Sequence, residues 1–394
     1  MRELASSNDI LKSLHRKKIN MDILICPDSF KGTLTASEVC DLIESAIMEQ
    51  RPDCHITKLP VADGGEGLCD ALHSFLGGKI VSAKTRNPFN EDMIADYLIL
   101  DGQIAVIEMA SCAGLPLAGK HPNPLYTTTY GVGLMIMDAA KRGCKKILLG
   151  LGGSATNDCG IGMAKALGFD FLDSEGNSVE PIGKNLISVE KIVLPKESLN
   201  IKITAASDVT NPLYGENGAA YVFAPQKGAS KANVKELDNG LRHISKIIER
   251  DLNVDLNTVG AGAAGGLGAG AIAFLDAEIK SGIDVVLDVL DFNNKLKNCD
   301  AVITGEGKFD LQSSQGKVIS GVAKRAALMN KPVFALCGCM DTNADYKELG
   351  FQKICVSSQT TKTIEEIRKT VNNDVKVAAN KLFKEILDFF AKNS

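Results

Sequence analysis

Five short loops hold most of the residues in this chain that could do chemistry. They are Pro27-Asp-Ser-Phe-Lys-Gly32, Ala62-Asp-Gly-Gly-Glu-Gly67, Gly150-Leu-Gly-Gly-Ser-Ala-Thr-Asn-Asp158, Asp208-Val-Thr-Asn-Pro212 and Thr304-Gly-Glu-Gly-Lys-Phe-Asp310. Each concentrates Asp, Asn, Ser, Glu or Lys, in most cases with glycine. Glycine lets backbone N–H groups close on an anion, and a helix that follows adds a favourable dipole. Phosphate is the anion that suits such loops. Carboxylates in the same loops would repel a bare phosphate, and a divalent cation between them resolves the conflict. A single Asp-Gly is more often a tight turn with a capping carboxylate. Five loops of one chemical kind point instead to a cleft for an anion and a metal.

Such loops work at the carboxyl ends of parallel strands, and the hydrophobic spacing predicts that scaffold. A strand over 21–26 leads to a helix opened by the capping box Thr35-Ala-Ser-Glu38, with Val39, Leu42, Ile43, Ala46 and Ile47 on one face. Pro52 stops it ahead of a strand over 56–59. Strand-like runs at 79–85, 93–100 and 104–109, separated by Asn-Pro and Asp-Gly turns, predict a mixed sheet. Strands at 146–149 and 201–205 and a helix from about 231 to 251 continue that region. Parallel alternation returns with strands at 301–304, 333–337 and 353–356, a helix over 316–328 and a closing helix from Ile364. The expectation is an α/β chain of two lobes: a discontinuous parallel-sheet domain over 21–77 and 280–394, and an inserted α/β domain with a mixed sheet over 78–279. Residues 1–20, basic but without an apolar core, are expected to be a disordered extension or to precede a true start at Met21.

Composition narrows the function. The formal net charge of −4 gives no cationic field for a phosphate backbone, so nucleic acid is not an expected partner. No apolar run approaches the roughly 20 residues of a membrane span, and a soluble, cytoplasmic protein is expected. Eleven cysteines, odd in number and scattered, read as reduced thiols. Cys337-Gly-Cys339 lacks the second pair of ligands that zinc requires.

Other phosphate-binding motifs fare less well. The stretch nearest a Walker loop, Leu311–Val318, has Leu for its first Gly and Val after Gly316-Lys317. Gly150-Leu-Gly152-Gly-Ser-Ala155 satisfies a dinucleotide fingerprint, and so does Gly260-Ala-Gly262-Ala-Ala-Gly265. The first is followed by Asn157 and Asp158, which suit a magnesium–phosphate site better than a pyrophosphate turn. The second follows no convincing strand. The five histidines fall in no motif, and no Gly-x-Ser-x-Gly elbow appears.

Eight ordered stretches resemble the bacterial glycerate kinases of the glycerate 2-kinase type. Four are the loops beginning at Pro27, Pro60, Gly152 and Asp208. The others are Gly215-Glu-Asn-Gly-Ala219, Pro225-Gln-Lys-Gly-Ala229, Gly260-Ala-Gly-Ala-Ala-Gly-Gly266 and Thr304-Gly-Glu-Gly307. The resemblance runs from Met21 nearly to the C-terminus. It implies a flavodoxin-like first domain and ATP-dependent phosphorylation of D-glycerate, usually at the 2-hydroxyl, with ATP and Mg2+ as cofactors. Cys159 departs from the family pattern, where glycine is common, and leaves the polar atoms of the motif in place.

Within that resemblance Lys31, Asp63 and Asp158 are the catalytic candidates, Lys31 for a phosphate or carboxylate and Asp63 or Asp158 as base. Asp28, Ser29, Gly64, Gly65, Glu66, Gly152, Gly153, Ser154, Thr156, Asn157 and Asn211 are candidates for binding substrate or phosphate. Asp208 and Glu306, with Asp28, are candidates for magnesium or its waters. A glycerate 3-kinase, a kinase of another small hydroxy acid, a nicotinamide-dependent dehydrogenase and a non-catalytic metabolite sensor are the competing readings. Self-association into a homo-oligomer is left open.

Overall fold

The computed structural model describes residues 21–30, 32–61, 67–120, 122–309, 317–341, 349–358 and 363–393. Along them run β1 (Asp22–Ile25), β2 (His55–Lys58), β3 (Lys79–Arg86), β4 (Asp92–Leu100) and β5 (Ile104–Glu108). Next come β6 (Lys146–Gly150), β7 (Asp170–Leu172), β8 (Lys191–Val193), β9 (Lys202–Ala206) and β10 (Glu278–Lys280). The last three are β11 (Ala301–Phe309), β12 (Val333–Met340) and β13 (Phe351–Val356). They divide between two compact units. One comprises Met1–Asp63 and Val286–Ser394, the other Gly64–Val285.

The first unit carries a five-stranded parallel sheet in the order β13-β12-β11-β1-β2. Counted within the unit this is 2-1-3-4-5, the flavodoxin-like order that the resemblance implies, with its switch point between β1 and β11. A parallel sheet is covered on both faces, which is why these strands read as unbroken apolar runs. Helices Ala36–Gln50 and Ile364–Asn393 bury Ile43, Ile47, Val375 and Leu382 against Ile23, Ile303, Phe334 and Leu336. Helix Val318–Leu328 packs on β11 and β12. The predicted capping box is present: the Thr35 side chain accepts from Glu38 N and the Glu38 carboxylate accepts from Thr35 N.

The second unit carries a six-stranded mixed sheet, β10-β9-β6-β5-β4-β3, and the small hairpin-like pair β7-β8. β3, β4 and β5 are antiparallel neighbours, while β5, β6, β9 and β10 run parallel. Asp101 and Gly102, with φ of 48° and 67°, make the predicted turn between β4 and β5. Helix Tyr130–Lys141 buries Val132, Met135, Ile136 and Ala139 on this sheet, and helix Lys231–Leu252 gathers a second core around Phe171, Leu186 and Leu213.

The division differs from the expected crossings at 78 and 280. Helix Leu68–Leu76 belongs to the second unit, where it packs against β4 and β5. β10 pairs with β9, which carries the second unit through to Val285.

The capping box gives a direct check on helix Ala36–Gln50. Thr35→Ala removes the hydroxyl that accepts from Glu38 N at 3.2 Å, and should destabilise the protein by about 1 kcal/mol. A lower urea midpoint is the expected reading; an unchanged midpoint would show that the cap contributes nothing.

Candidate active site

In the first unit, the loop after β1 stays beside β11. Cys26 N donates to Ile303 O at 2.8 Å and Asp28 N to Gly305 O at 2.8 Å, which brings Asp28 alongside the residue preceding Glu306. The Asp28 carboxylate accepts from Ser29 N at 2.6 Å. Glu306 lies on β11, only 6% exposed, and Thr304 Oγ1 donates to Cys26 O at 2.9 Å to lock the two strand ends. Around these residues opens a crevice of about 360 Å³, lined by Asp28, Ser29, Glu306, Lys317 and Ser358 on its polar side. Phe30 and the Ile364, Ile367 and Val371 side chains of the last helix form its apolar wall. This is the switch point of the sheet, where open α/β sheets bind ligands. The Ser358 hydroxyl is buried there without a hydrogen-bond partner.

In the second unit, the chemistry gathers at the carboxyl ends of β5, β6 and β9. The loop after β6 is pinned by its backbone: Leu115 N donates to Gly153 O at 2.8 Å and Ala155 N to Ala113 O at 2.9 Å. Gly153, at φ 68°, holds a conformation that favours glycine. Gly152 is exposed, and from Ser154 the loop turns inward, with Thr156, Asn157 and Asp158 fully buried. The Thr156 hydroxyl and both ends of the Asn157 carboxamide have no hydrogen-bond partner. Buried polar atoms are nearly always paired, so these three mark a place where a ligand oxygen or donor would be accepted.

Asp158 has the opposite character. Its Oδ2 accepts from Thr129 N at 2.7 Å, Thr129 Oγ1 at 2.8 Å and Gly162 N at 3.2 Å, and its Oδ1 from Gly160 N at 3.3 Å. Burial pushes its carboxyl above the usual range, against the pull of those donors. A carboxylate so enclosed binds the starts of two helices, Tyr130–Lys141 and Ile161–Ala166, and has no open face for a substrate hydroxyl. Asp158, expected from the sequence as a base, is thus held on both carboxylate oxygens at the starts of these helices.

The remaining candidates divide between the units. Asp208, exposed at the end of β9, accepts from Gly282 N at 2.9 Å and so ties the ends of β9 and β10 together. Asn211 Nδ2 donates to Asn217 O at 2.8 Å, closing the loop between them. Asp208 belongs to the second unit and Glu306 to the first. Lys31, Asp63, Gly64, Gly65 and Glu66 lie outside the described residues. Among the described residues no cluster of three or more His, Cys, Asp or Glu side chains is arranged to hold a metal by itself. Magnesium is commonly held by one or two carboxylates with substrate phosphates completing the shell, and the hard oxygens of Asp28 and Glu306 fit that donor set.

Two residues escaped the sequence reading. Glu108, at the end of β5, accepts from Gly67 N at 2.8 Å and Leu68 N at 3.2 Å and so caps helix Leu68–Leu76. Lys227 is 2% exposed and donates from Nζ to Ser154 Oγ at 2.6 Å and to Thr156 O at 2.7 Å. Burial lowers its pKa to about 7, with the charge of Asp158 opposing that shift. The signals were a carboxylate ending a strand and a lysine in Pro225-Gln-Lys-Gly-Ala229. Neither residue sits in a glycine-rich loop that follows a strand.

Both dinucleotide fingerprints find other uses. After Ala155 the first passes through four further residues and the left-handed Gly160 before helix Ile161–Ala166 begins. In the second, Ala264, Gly265 and Gly266 all have positive φ, and a Cβ on Gly265 would stand 1.9 Å from Thr156 O. Those glycines exist so that one backbone can lie against the other. Cys159 itself has φ 53°, the left-handed region that favours glycine.

Comparison with known proteins follows the same lines. The sequence model of the Glycerate kinase family matches residues 23–387. A glycerate kinase of Bacillus cereus is 40% identical over 369 residues, covering 92% of this chain and 97% of that protein. The glycerate 2-kinase of Escherichia coli is 44% identical over 326 residues, covering 81% of this chain and 86% of its own. A crystal structure described as that of a glycerate kinase 2 from Salmonella typhimurium LT2 superimposes with a TM-score of 0.78 at 37% identity, over 95% of this chain and 100% of that one.

The anchoring role of Asp158 predicts how its loss shows. Asp158→Asn presents an amide to N–H donors and should destabilise the protein by roughly 2 kcal/mol, seen as a lower melting temperature. A variant that melts like wild type and has lost all turnover would restore Asp158 as the base.

Proposed function

Because this chain belongs to the glycerate kinase family, we propose that it transfers the γ-phosphoryl group of ATP to the 2-hydroxyl of D-glycerate, giving 2-phosphoglycerate and ADP. The observation that carries the reading is the crevice at the β1–β11 switch point, where Asp28, Ser29, Glu306 and Lys317 face an apolar wall. The 2-kinase activity named for the Escherichia coli relative supports the choice of hydroxyl.

Phosphoryl transfer asks a protein for charge neutralisation, in-line positioning and a base, with little covalent chemistry. Asp28 and Glu306 are the residues that would hold magnesium. When bound, the metal neutralises the triphosphate and orients its oxygens. Lys317, and Lys31 from the sequence reading, add positive charge toward phosphate oxygens. In the second unit Gly152, Gly153 and Ser154 offer backbone and hydroxyl donors, and Thr156 and Asn157 offer unpaired polar atoms. With Asp158 enclosed, Asp63 is the base we assign. It takes the proton of the 2-hydroxyl as that oxygen bonds to the γ-phosphorus and the bond from phosphorus to the β,γ-bridging oxygen breaks.

The test is ADP release from purified protein with ATP, magnesium and D-glycerate, followed by phosphorus NMR of the product. A 2-phosphoglycerate signal that requires magnesium is expected; a 3-phosphoglycerate signal, or no ADP above background, contradicts the proposal. Glu306→Gln should keep its fold and lower kcat/KM by about a hundredfold or more at fixed magnesium, with part of the loss regained as magnesium is raised. Full activity in that variant would remove Glu306 from the metal site.

A further inference from the structure

Lys227 is a buried amine whose hydrogen-bond acceptors are a hydroxyl and a carbonyl, not a carboxylate. It ends the one-turn helix Pro225–Lys227. Gly228 follows at φ +91°, where a Cβ would stand 1.9 Å from Pro122 O, so this turn is clamped against the backbone at Pro122. The amine is thereby aimed at the loop after β6. An ammonium brings three N–H donors, and two are used, on Ser154 Oγ and Thr156 O. Asp158 is the charged group that acts on it, yet both oxygens of that carboxylate are engaged by Thr129, Gly160 and Gly162.

A loop anchor alone would not call for a charge, since neutral donors hold backbone carbonyls without the desolvation that burying an ammonium entails. The arrangement makes sense if an anion completes it. Ser154 accepts from Lys227, so its own proton is directed elsewhere. The loop meets solvent at Gly152, and the unpartnered Thr156 hydroxyl and Asn157 carboxamide belong to the same stretch. Burial lowers the pKa of the amine to about 7, and an arriving negative charge favours its protonated form.

We propose that Lys227 is a positioning residue for an anionic oxygen of the ligand, phosphoryl or carboxylate. It charges the Gly152–Asn157 loop from behind and orients the Ser154 hydroxyl to donate outward to that oxygen. The identity of the ligand rests on the kinase reading; the existence of the anion site does not.

The test uses calorimetry on the full chain with magnesium-ATP alone and with D-glycerate alone, for wild type, Lys227→Met, Ser154→Ala and the double variant. Both single variants should weaken the same ligand by about tenfold or more, with the double variant no weaker than Lys227→Met, because the lysine acts through the serine. Weakened ATP binding identifies the phosphoryl group, weakened D-glycerate binding the carboxylate. Wild-type affinity of Ser154→Ala for both ligands overturns the proposal, and decides the matter even if Lys227→Met fails to fold. If wild type binds neither ligand and forms no product, the kinase reading is what fails. Phosphorus NMR with inorganic phosphate then tests the anion site alone: line broadening in wild type that is lost in Lys227→Met supports it, and equal behaviour sinks it.

Discussion

A fully buried carboxylate, Asp158, sets the geometry on which the second unit depends. Removing such a group from water is costly unless every lone pair is met, and here Thr129, Gly160 and Gly162 meet them. In doing so they fix where helices Tyr130–Lys141 and Ile161–Ala166 begin, and hence the course of the loop between β6 and the second of these helices. Lys227 holds the same loop through Ser154 and Thr156. A carboxyl group and an amine thus lie within one interior and act on each other without a direct ion pair. Either alone would be expensive to bury; together they define a stretch whose remaining polar atoms, on Thr156 and Asn157, are left for something else.

Close backbone packing is the second constraint. Gly162 can have no side chain, since a Cβ would fall 2.1 Å from Thr128 Oγ1 and 2.8 Å from Asp158 Oδ2, and Gly265 is as closely pressed against Thr156. Glycine-rich sequence in this chain therefore has two physical origins. Some glycines leave backbone exposed, as Gly152 does, and others let two loops touch. The pattern Gly-x-Gly-x-x-Gly cannot distinguish these, because both need the same absent side chain.

Much of the scaffold was legible in the sequence because parallel strands are apolar throughout and helices are amphipathic. The runs at β1, β6, β11 and β12 and the capping box at Thr35 follow directly from that. The unit boundary was less legible: Leu68 and Leu72 say that helix Leu68–Leu76 has a buried face, but not which sheet buries it. Asp28 and Glu306, singled out in the sequence as carboxylates in loops of one chemical kind, both line the crevice of the first unit. The enclosure of Asp158 was not legible, since burial and the number of donors around a carboxylate are properties of the fold. Lys227 and Glu108 were missed for the same reason: their partners, Ser154 and Gly67, are 73 and 41 residues away.

In the proposed reaction the β1–β11 switch point of the first unit and the Gly152–Asn157 loop of the second each meet ligand. Hydrogen exchange read by mass spectrometry, with and without a non-hydrolysable ATP analogue, magnesium and D-glycerate, tests this most directly. Slowed exchange in peptides spanning Asp28–Phe30, Gly305–Gly307 and Gly152–Asn157 is the predicted result. Ligand-dependent protection confined to other segments, with these three unchanged, would contradict it.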